Sequence, residues 1–314
     1  MFHASTRIYA GGLGTYGPLL LDPLASAEQA RVITQYHMLT SALKEPLPEL
    51  EEQTFAVSSP SPPLILDLGC GPGGTWACDV AFHDPFCLVF GVSALAPYVR
   101  QANTFRQMQE QTRVRFLQMD FARELSCPAN FYTLINGRFL RTFLAHDGWS
   151  RLLQECLRVL RPGGLLRLTE CTAATSNSPA CELLSHYCEQ TLAIRTQTLL
   201  AQHTESSQES SALASASSQH EHLLNLLHEL GYCAIAEHNT VLDFSAGTLY
   251  QASMRTNAES FFYQLAPLLC QTIDLTPERF TDLFERMRAE MSAPTFKGLW
   301  TLSRVHAYKP GGIQ

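Results

Sequence analysis

The densest chemical signal in the chain is the glycine run Gly69-Cys70-Gly71-Pro72-Gly73-Gly74, which follows the short apolar stretch Leu64–Leu68. Glycines at such a junction permit a tight turn and leave the backbone bare, so that a ligand can approach its N–H groups. Gly69, Gly71 and Gly74 satisfy the G-x-G-x-x-G pattern of dinucleotide sites. A plain strand-to-helix turn without a ligand would use the same residues. Asp67 helps to separate these readings. It stands two residues before Gly69, where its charge would repel a pyrophosphate but would hold a cationic ligand that lacks phosphate.

Such a loop needs a strand before it and a helix after it, and the sequence around it supplies both. From Pro63 onward, short apolar runs alternate with helical patterns. Strands are expected at Leu64–Leu68, Cys87–Val92, Val114–Met119, Tyr132–Asn136 and Leu165–Thr169, with helices over Ala96–Gln111 and Ser150–Leu160. A helix over His222–Leu230 is closed by Gly231, and strands at Cys233–Phe244 and Leu299–Tyr308 complete the set. This alternation predicts an α/β fold, a doubly wound, mostly parallel sheet with helices on both faces. Residues 1–62 read as an N-terminal arm that could serve as a lid: a helix over Ala27–Leu43, then a proline-rich linker from Pro46 to Pro63. Residues 63–314 form the core, with helical inserts at about 175–219 and 247–294. Thr276-Pro277-Glu278 opens the later helix of the second insert.

Three motifs in order, Asp67-x-Gly69-x-Gly71-x-Gly73, Gln118-Met119-Asp120 and Leu160-Arg161-Pro162-Gly163-Gly164, resemble class I S-adenosylmethionine-dependent methyltransferases. The small-molecule branch that includes the ubiquinone and menaquinone C-methyltransferases is the nearest in flavour. The resemblance covers roughly residues 60 to 245. It implies a Rossmann-like, seven-stranded sheet with a reversed last strand, and S-adenosyl-L-methionine as cofactor with S-adenosyl-L-homocysteine as product. It places the methionine end of the cofactor against Gly69, Cys70, Gly71 and Gly73. Asp120 would accept from the adenine amino group, with Met119 and Phe121 bordering the ring. Asn136-Gly137-Arg138 would line the sulfonium and the methyl-transfer zone. At the end of strand two the family usually has an acid that grips the ribose. This chain has Ser93, followed by Ala94, so one neutral hydrogen bond replaces a charged one.

Methyl transfer from a sulfonium is an in-line displacement by a donor already activated, so positioning and exclusion of water can supply most of the catalysis. A carbon or oxygen nucleophile often needs a base as well. Candidates are His146 past strand four, Glu170 after strand five, and His37 on the N-terminal helix. Gln35, on the same helix, could close over the methionine carboxylate. Each has a plainer alternative as a turn, brace or surface residue. Tyr250, Phe261, Phe262 and Tyr263, with Phe139, could line an apolar pocket or simply pack together. If they line a pocket, the acceptor is bulky and hydrophobic; the leading expectation is methylation of a small acceptor at oxygen or carbon, with nitrogen less favoured. The alternative is a protein of methyltransferase fold that binds cofactor or ligand without methylating. A nicotinamide-dependent reductase would need an acid or arginine after strand two, which Ser93 does not provide.

The bulk composition narrows the partners. The net charge is −7 with no basic run, which argues against nucleic acid. Ten cysteines contain no C-x-x-C pair, and His220-Glu221-His222 lacks a third ligand, so no metal site is expected. No apolar run approaches the ~20 residues of a membrane span. A cytoplasmic enzyme of small molecules is expected, as monomer or homodimer.

Overall fold

The structure of the 314-residue chain is a computed structural model that describes residues 21–44, 62–142, 144, 148–171, 174–203 and 216–311. Its elements run α1 (Ser26–Leu43), β1 (Leu64–Leu68), α2 (Thr75–His83), β2 (Leu88–Ser93), α3 (Ala96–Met108), β3 (Val114–Gln118), β4 (Tyr132–Arg138) and a 3-10 turn (Leu140–Thr142). There follow α4 (Gly148–Val159), β5 (Leu160–Cys171), β6 (Thr175–Ser176), α5 (Pro179–His203), α6 (Ala216–Glu229), β7 (Cys233–Asp243), α7 (Gln251–Thr272), α8 (Pro277–Ser292) and β8 (Gly298–Tyr308). Two compact units result, one of residues Tyr36–Cys171, His220–Thr240 and Leu302–Gln314, the other of Met1–Gln35, Thr172–Gln219 and Val241–Thr301. Among the described residues no helix is long and apolar enough to cross a membrane.

The first unit is a Rossmann-like sheet with strand order β3-β2-β1-β4-β5-β8 and β7 beyond β8. β1 pairs in parallel with both β2 and β4, β2 with β3, and β4 with β5. Residues Leu302 to Tyr308 of β8 run antiparallel to β5, the reversed strand that the family resemblance implies. The seven expected strands are all present, and the two-residue β6 makes an eighth. β1 has four buried residues out of five and β4 six out of seven, as strands covered on both faces must. Of the boundaries that differ from expectation, two bear on the site. β4 continues through Asn136, Gly137 and Arg138 instead of stopping at Asn136. β5 begins at Leu160: Pro162-Gly163-Gly164 forms an irregularity in the strand, with Gly163 at φ of 73°, and bonds to the residue after β8, where Gly163 N–H donates to Lys309 O (2.9 Å) and Lys309 N–H to Gly164 O (3.0 Å).

Strand order reverses at β1, which lies between β2 and β4. Ligands of open α/β sheets bind at such a switch point, outside the carboxyl ends of the strands. One aromatic ring sets how closely the elements approach there. Phe116 of β3 lies where a side chain on either Gly91 of β2 or Gly74, just before α2, would have to go. A Cβ at Gly91 would sit 2.5 Å from the ring, and one at Gly74 2.2 Å.

The second unit is helical, with α5, α7 and α8 packed on one another. Thr276 caps α8 by accepting from Arg279 N–H at 3.3 Å, as its place before Pro277 predicts. Arg31 of α1 forks onto both oxygens of Glu28 (2.6 Å each) and donates to Gln35 Oε1 (2.6 Å) and to Asn257 Oδ1 of α7 (2.9 Å). The same guanidinium lies 5.5 Å from the Phe261 ring centre. Phe262 is buried and Tyr263 exposed, so the aromatic run is divided between core, cation contact and surface.

Overpacking a close-packed site costs about 1–3 kcal/mol. Gly91→Ala should therefore destabilise the protein by about that amount in urea denaturation, and Gly91→Ala combined with Phe116→Leu should recover part of the loss. Equal stability of Gly91→Ala and the native chain would contradict the ring's role as spacer.

Candidate active site

The turn after β1 is shaped by backbone. Gly69 and Gly71 both have φ of 70° and Gly74 has φ of 56°, values that a side chain disfavours. The N–H groups of Gly69 and Cys70 both donate to Val92 O at 3.0 Å, which ties the loop to the end of β2. A Cβ built on Gly71 would meet no atom of another described residue within 4 Å, its chain neighbours aside, so among the described residues this glycine leaves bare backbone on an open side. Gly73 is buried within the same turn. Burial, reinforced by the charge of Asp67, pushes the Cys70 thiol well above its ordinary range and keeps it neutral.

Asp67 is 3% exposed, and Asn136 opposite it on β4 is fully buried. The Asn136 amide donates from Nδ2 to Asp67 Oδ1 at 2.7 Å and accepts at Oδ1 from Arg167 Nε of β5 at 3.0 Å. Arg167, also fully buried, lies 5.0 Å from the ring centre of Trp76, the second residue of α2. An acid, an amide and a guanidinium thus span three strands beneath the glycine turn. The Trp76 ring nitrogen is buried with no hydrogen-bond partner among the described residues.

The other sequence candidates gather at neighbouring strand ends. Ser93 closes β2 and is buried. Its Oγ accepts from Leu95 N–H at 3.2 Å, its own C=O accepts from Met119 N–H at 3.0 Å, and Ala94 O accepts from Gln118 Nε2 at 3.4 Å. Asp120 follows β3; its Oδ1 accepts from Ala122 N–H at 3.2 Å and its Oδ2 pairs with Arg123 Nε at 3.1 Å. Phe121 is buried, its ring 3.8 Å from where a Cβ on Gly69 would stand. Gly137 lies in β4 because Leu140 occupies its side-chain space, at 2.6 Å from a built Cβ. The next turn holds Phe139 at φ of 55°, a conformation that costs a bulky residue free energy and is tolerated where the surroundings enforce it.

Arg138 ends β4 with its guanidinium 4.4 Å from the Tyr36 ring centre and 6.0 Å from that of Trp76, donating to Thr40 Oγ1 at 3.3 Å. Tyr36 O–H in turn donates to Asp79 Oδ2 of α2 at 2.7 Å. Burial holds the Tyr36 hydroxyl far above its ordinary range, so it stays protonated. Tyr36, Thr40, Trp76 and Asp79 had no chemical signal in the sequence beyond their helical spacing. Arg167 had one: a charge in the middle of the apolar run Leu165–Thr169.

The candidate bases separate. His37 is exposed, edge-on to Tyr36 with ring centres 5.2 Å apart. His146 lies outside the described residues. Gln35 belongs to the helical unit, bonded to Arg31 rather than solvated on its own. Glu170, near the end of β5, accepts from Arg141 N–H at 3.3 Å and so braces the 3-10 turn after β4. Burial raises its carboxyl to about 7, against the opposing pull of the Arg141 guanidinium and backbone donors. His220 pairs with Glu237 Oε2 of β7 at 3.1 Å, and among the described residues no cluster of ligating side chains could hold a metal.

Residues 65–164 match the family model described as a methyltransferase domain. The matched stretch begins within β1 and ends at Gly164 of β5. No curated protein sequence matches the chain. Among solved structures it is similar to YcgJ from Bacillus subtilis at 18% identity, covering 84% of this chain and 98% of that one with a TM-score of 0.47. It is also similar to the [4+2]-cyclase SpnF (18%, 95% and 87%, TM-score 0.43). A third is geranyl diphosphate C-methyltransferase from Streptomyces coelicolor A3(2) (17%, 94% and 90%, TM-score 0.42). Similarity at this level says nothing of what this chain acts on.

Glu170 gives the stability a pH dependence of known sign. A carboxyl that holds its proton more tightly when folded stabilises fully below the ordinary glutamate range. That contribution is lost as pH rises towards about 7. Glu170→Gln keeps the acceptor for Arg141 and removes the titration. Its melting temperature should exceed that of the native protein by about 2–4 °C at pH 8, and the gap should close at pH 4. A gap independent of pH, read by calorimetry, would contradict the burial of this carboxyl.

Proposed function

We propose that this chain transfers a methyl group from S-adenosyl-L-methionine to a small hydrophobic acceptor, at oxygen or carbon in preference to nitrogen. The observation that carries the reading is the buried Asp67 carboxylate two residues before a turn of left-handed glycines, at the strand switch point. A cationic, phosphate-free ligand suits that pairing, and a dinucleotide does not. The donor set fits: bare backbone at Gly69, Cys70, Gly71 and Gly73 for the methionine end, Asp67 for its positive charge, and Asp120 with Met119 and Phe121 for the adenine. The cofactor supplies the activated methyl group on its sulfonium. The residues of the chain bind and orient it, and they keep water from the reacting atoms.

Ser93 would meet the ribose. Its oxygen already accepts from Leu95 N–H, so it would offer its hydroxyl proton to a ribose oxygen, a single neutral bond. Asn136, Gly137 and Arg138 would border the methyl group, and the strained Phe139 stands next on the acceptor side. That ring and the resemblance to quinone-methylating enzymes support an apolar acceptor. Of the three base candidates, Glu170 is favoured, since a carboxyl titrating near 7 can take a proton at neutral pH. The second reading, a protein that binds the cofactor without methylating, draws on the same Ser93, which weakens the ribose contact that the family usually makes with an acid.

Titration calorimetry with S-adenosylmethionine, S-adenosylhomocysteine and NAD should give binding of the two sulfur ligands alone, and no binding of either would refute the proposal. Asp67→Ala should lower affinity for both at least about tenfold. Ser93→Asp should raise it by up to about tenfold, the difference between a neutral and a charged hydrogen bond. Release of S-adenosylhomocysteine across an acceptor library should separate turnover from binding alone, with Glu170→Gln slowed by about 10²-fold or more where a base is needed.

A further inference from the structure

Arg167 is the largest charged group fully withdrawn from solvent among the described residues, and neither chemistry nor packing requires an arginine in the centre of an apolar strand. Its position in the sheet explains it. Asp67, Asn136, Arg167 and His306 are successive partners across β1, β4, β5 and β8. Residues in such a row point to one face of the sheet. We propose that Arg167 is a positioning residue for the cofactor, acting through Asn136 on the Asp67 carboxylate. The proposal rests on the reading of this site as one for S-adenosylmethionine.

The chemistry of the three groups allows only one arrangement. An ionised carboxylate accepts hydrogen bonds and cannot donate, a guanidinium donates and cannot accept, and an amide does both. Asn136 must therefore turn its Nδ2 to Asp67 and its Oδ1 to Arg167, as the 2.7 Å and 3.0 Å contacts show. With Arg167 in place the amide cannot flip without setting donor against donor at one end and acceptor against acceptor at the other. A guanidinium set directly against Asp67 would engage both carboxylate oxygens in a fork. The interposed amide engages Oδ1 alone and fixes the plane of the carboxylate from one side. The positive charge of Arg167 remains close enough to offset that of Asp67 in a region of low dielectric. Trp76 holds the far end, its ring 5.0 Å from the guanidinium carbon. It sits two residues after Gly74, so the helix that follows the cofactor turn also clamps the arginine that aims the acid.

The test compares S-adenosylhomocysteine with 5′-methylthioadenosine, which keeps the adenosine and lacks the amino-acid tail. Calorimetry on the full chain should show Arg167→Met losing about tenfold in affinity for S-adenosylhomocysteine and less than about twofold for 5′-methylthioadenosine. Arg167→Lys, which keeps the charge, should recover part of the loss. Unchanged affinity in a folded Arg167→Met, or an equal loss for both ligands, would overturn the proposal. Should Arg167→Met fail to fold, the paired change Asp67→Asn with Arg167→Met leaves a neutral row. In the pair, the loss for S-adenosylhomocysteine should match that of Asp67→Asn alone, because an arginine that acts through Asp67 has nothing left to aim. A larger loss in the pair than in Asp67→Asn alone would overturn the assignment. If the native chain binds no S-adenosylhomocysteine, the functional reading beneath fails. If it binds and these variants do not separate the ligands, only the role of Arg167 fails.

Discussion

The hydrogen bond from the Asn136 amide to the Asp67 carboxylate is made out of reach of water, and the arrangement of the sheet follows from it. A buried carboxylate costs several kcal/mol unless it is bonded and its charge offset. Here the bond comes from β4 and the opposing charge from β5. The pairing is met in one register alone. A slip of one residue would set Asp67 against Ile135 or Gly137, take the Asn136 donor away from the carboxylate, and turn β4 over to its other face. Without polar side chains, neighbouring strands such as β1 and β4 could slide past one another at little cost. The polar row is what gives them a single alignment, and that alignment brings the ends of β1, β2, β3 and β4 together where the glycine turn needs them.

The turn is fixed from a second direction. Val92 O accepts from two successive N–H groups of the loop, and Phe116 fills the space that Gly91 and Gly74 leave empty. Glycine thus serves two purposes within a few residues. At Gly69 and Gly71 it permits a left-handed backbone. At Gly91 it makes room for a ring from the next strand. The loop stays bare on its open side because it is packed hard on the other.

Much of this was legible in the sequence where local pattern and long-range packing agree. Leu64–Leu68 followed by glycines reads as a strand and turn at any level, and Thr276-Pro277-Glu278 announces a helix start that depends on no neighbour. Legibility ended where a residue answered to a distant partner. Asn136-Gly137 has the form of a turn, yet the strand runs through it, since Gly137 is small for the sake of Leu140. Pro162-Gly163-Gly164 has the form of a stop, yet it is an irregularity inside β5 that bonds to Lys309. Tyr36 read as one apolar position on a helix. The Arg138 guanidinium above it and the Asp79 carboxylate that accepts from its hydroxyl come from elements that nothing near Tyr36 specifies. Arg167 was visible as an anomaly, but its partners one and two strands away were not.

The antiparallel strand β8 sets an order on the birth of the molecule. Leu302 to Tyr308 bond directly to Leu165 to Cys171, so β5 leaves the ribosome long before its outer neighbour exists. Until then β5, which carries Arg167 and Glu170, is a sheet edge with unpaired backbone groups, the kind of surface that recruits strands from other chains. The Pro162-Gly163-Gly164 segment waits as well, since its partner Lys309 is made later still. That edge of β5 is closed only by β8, which follows every other described strand in the chain.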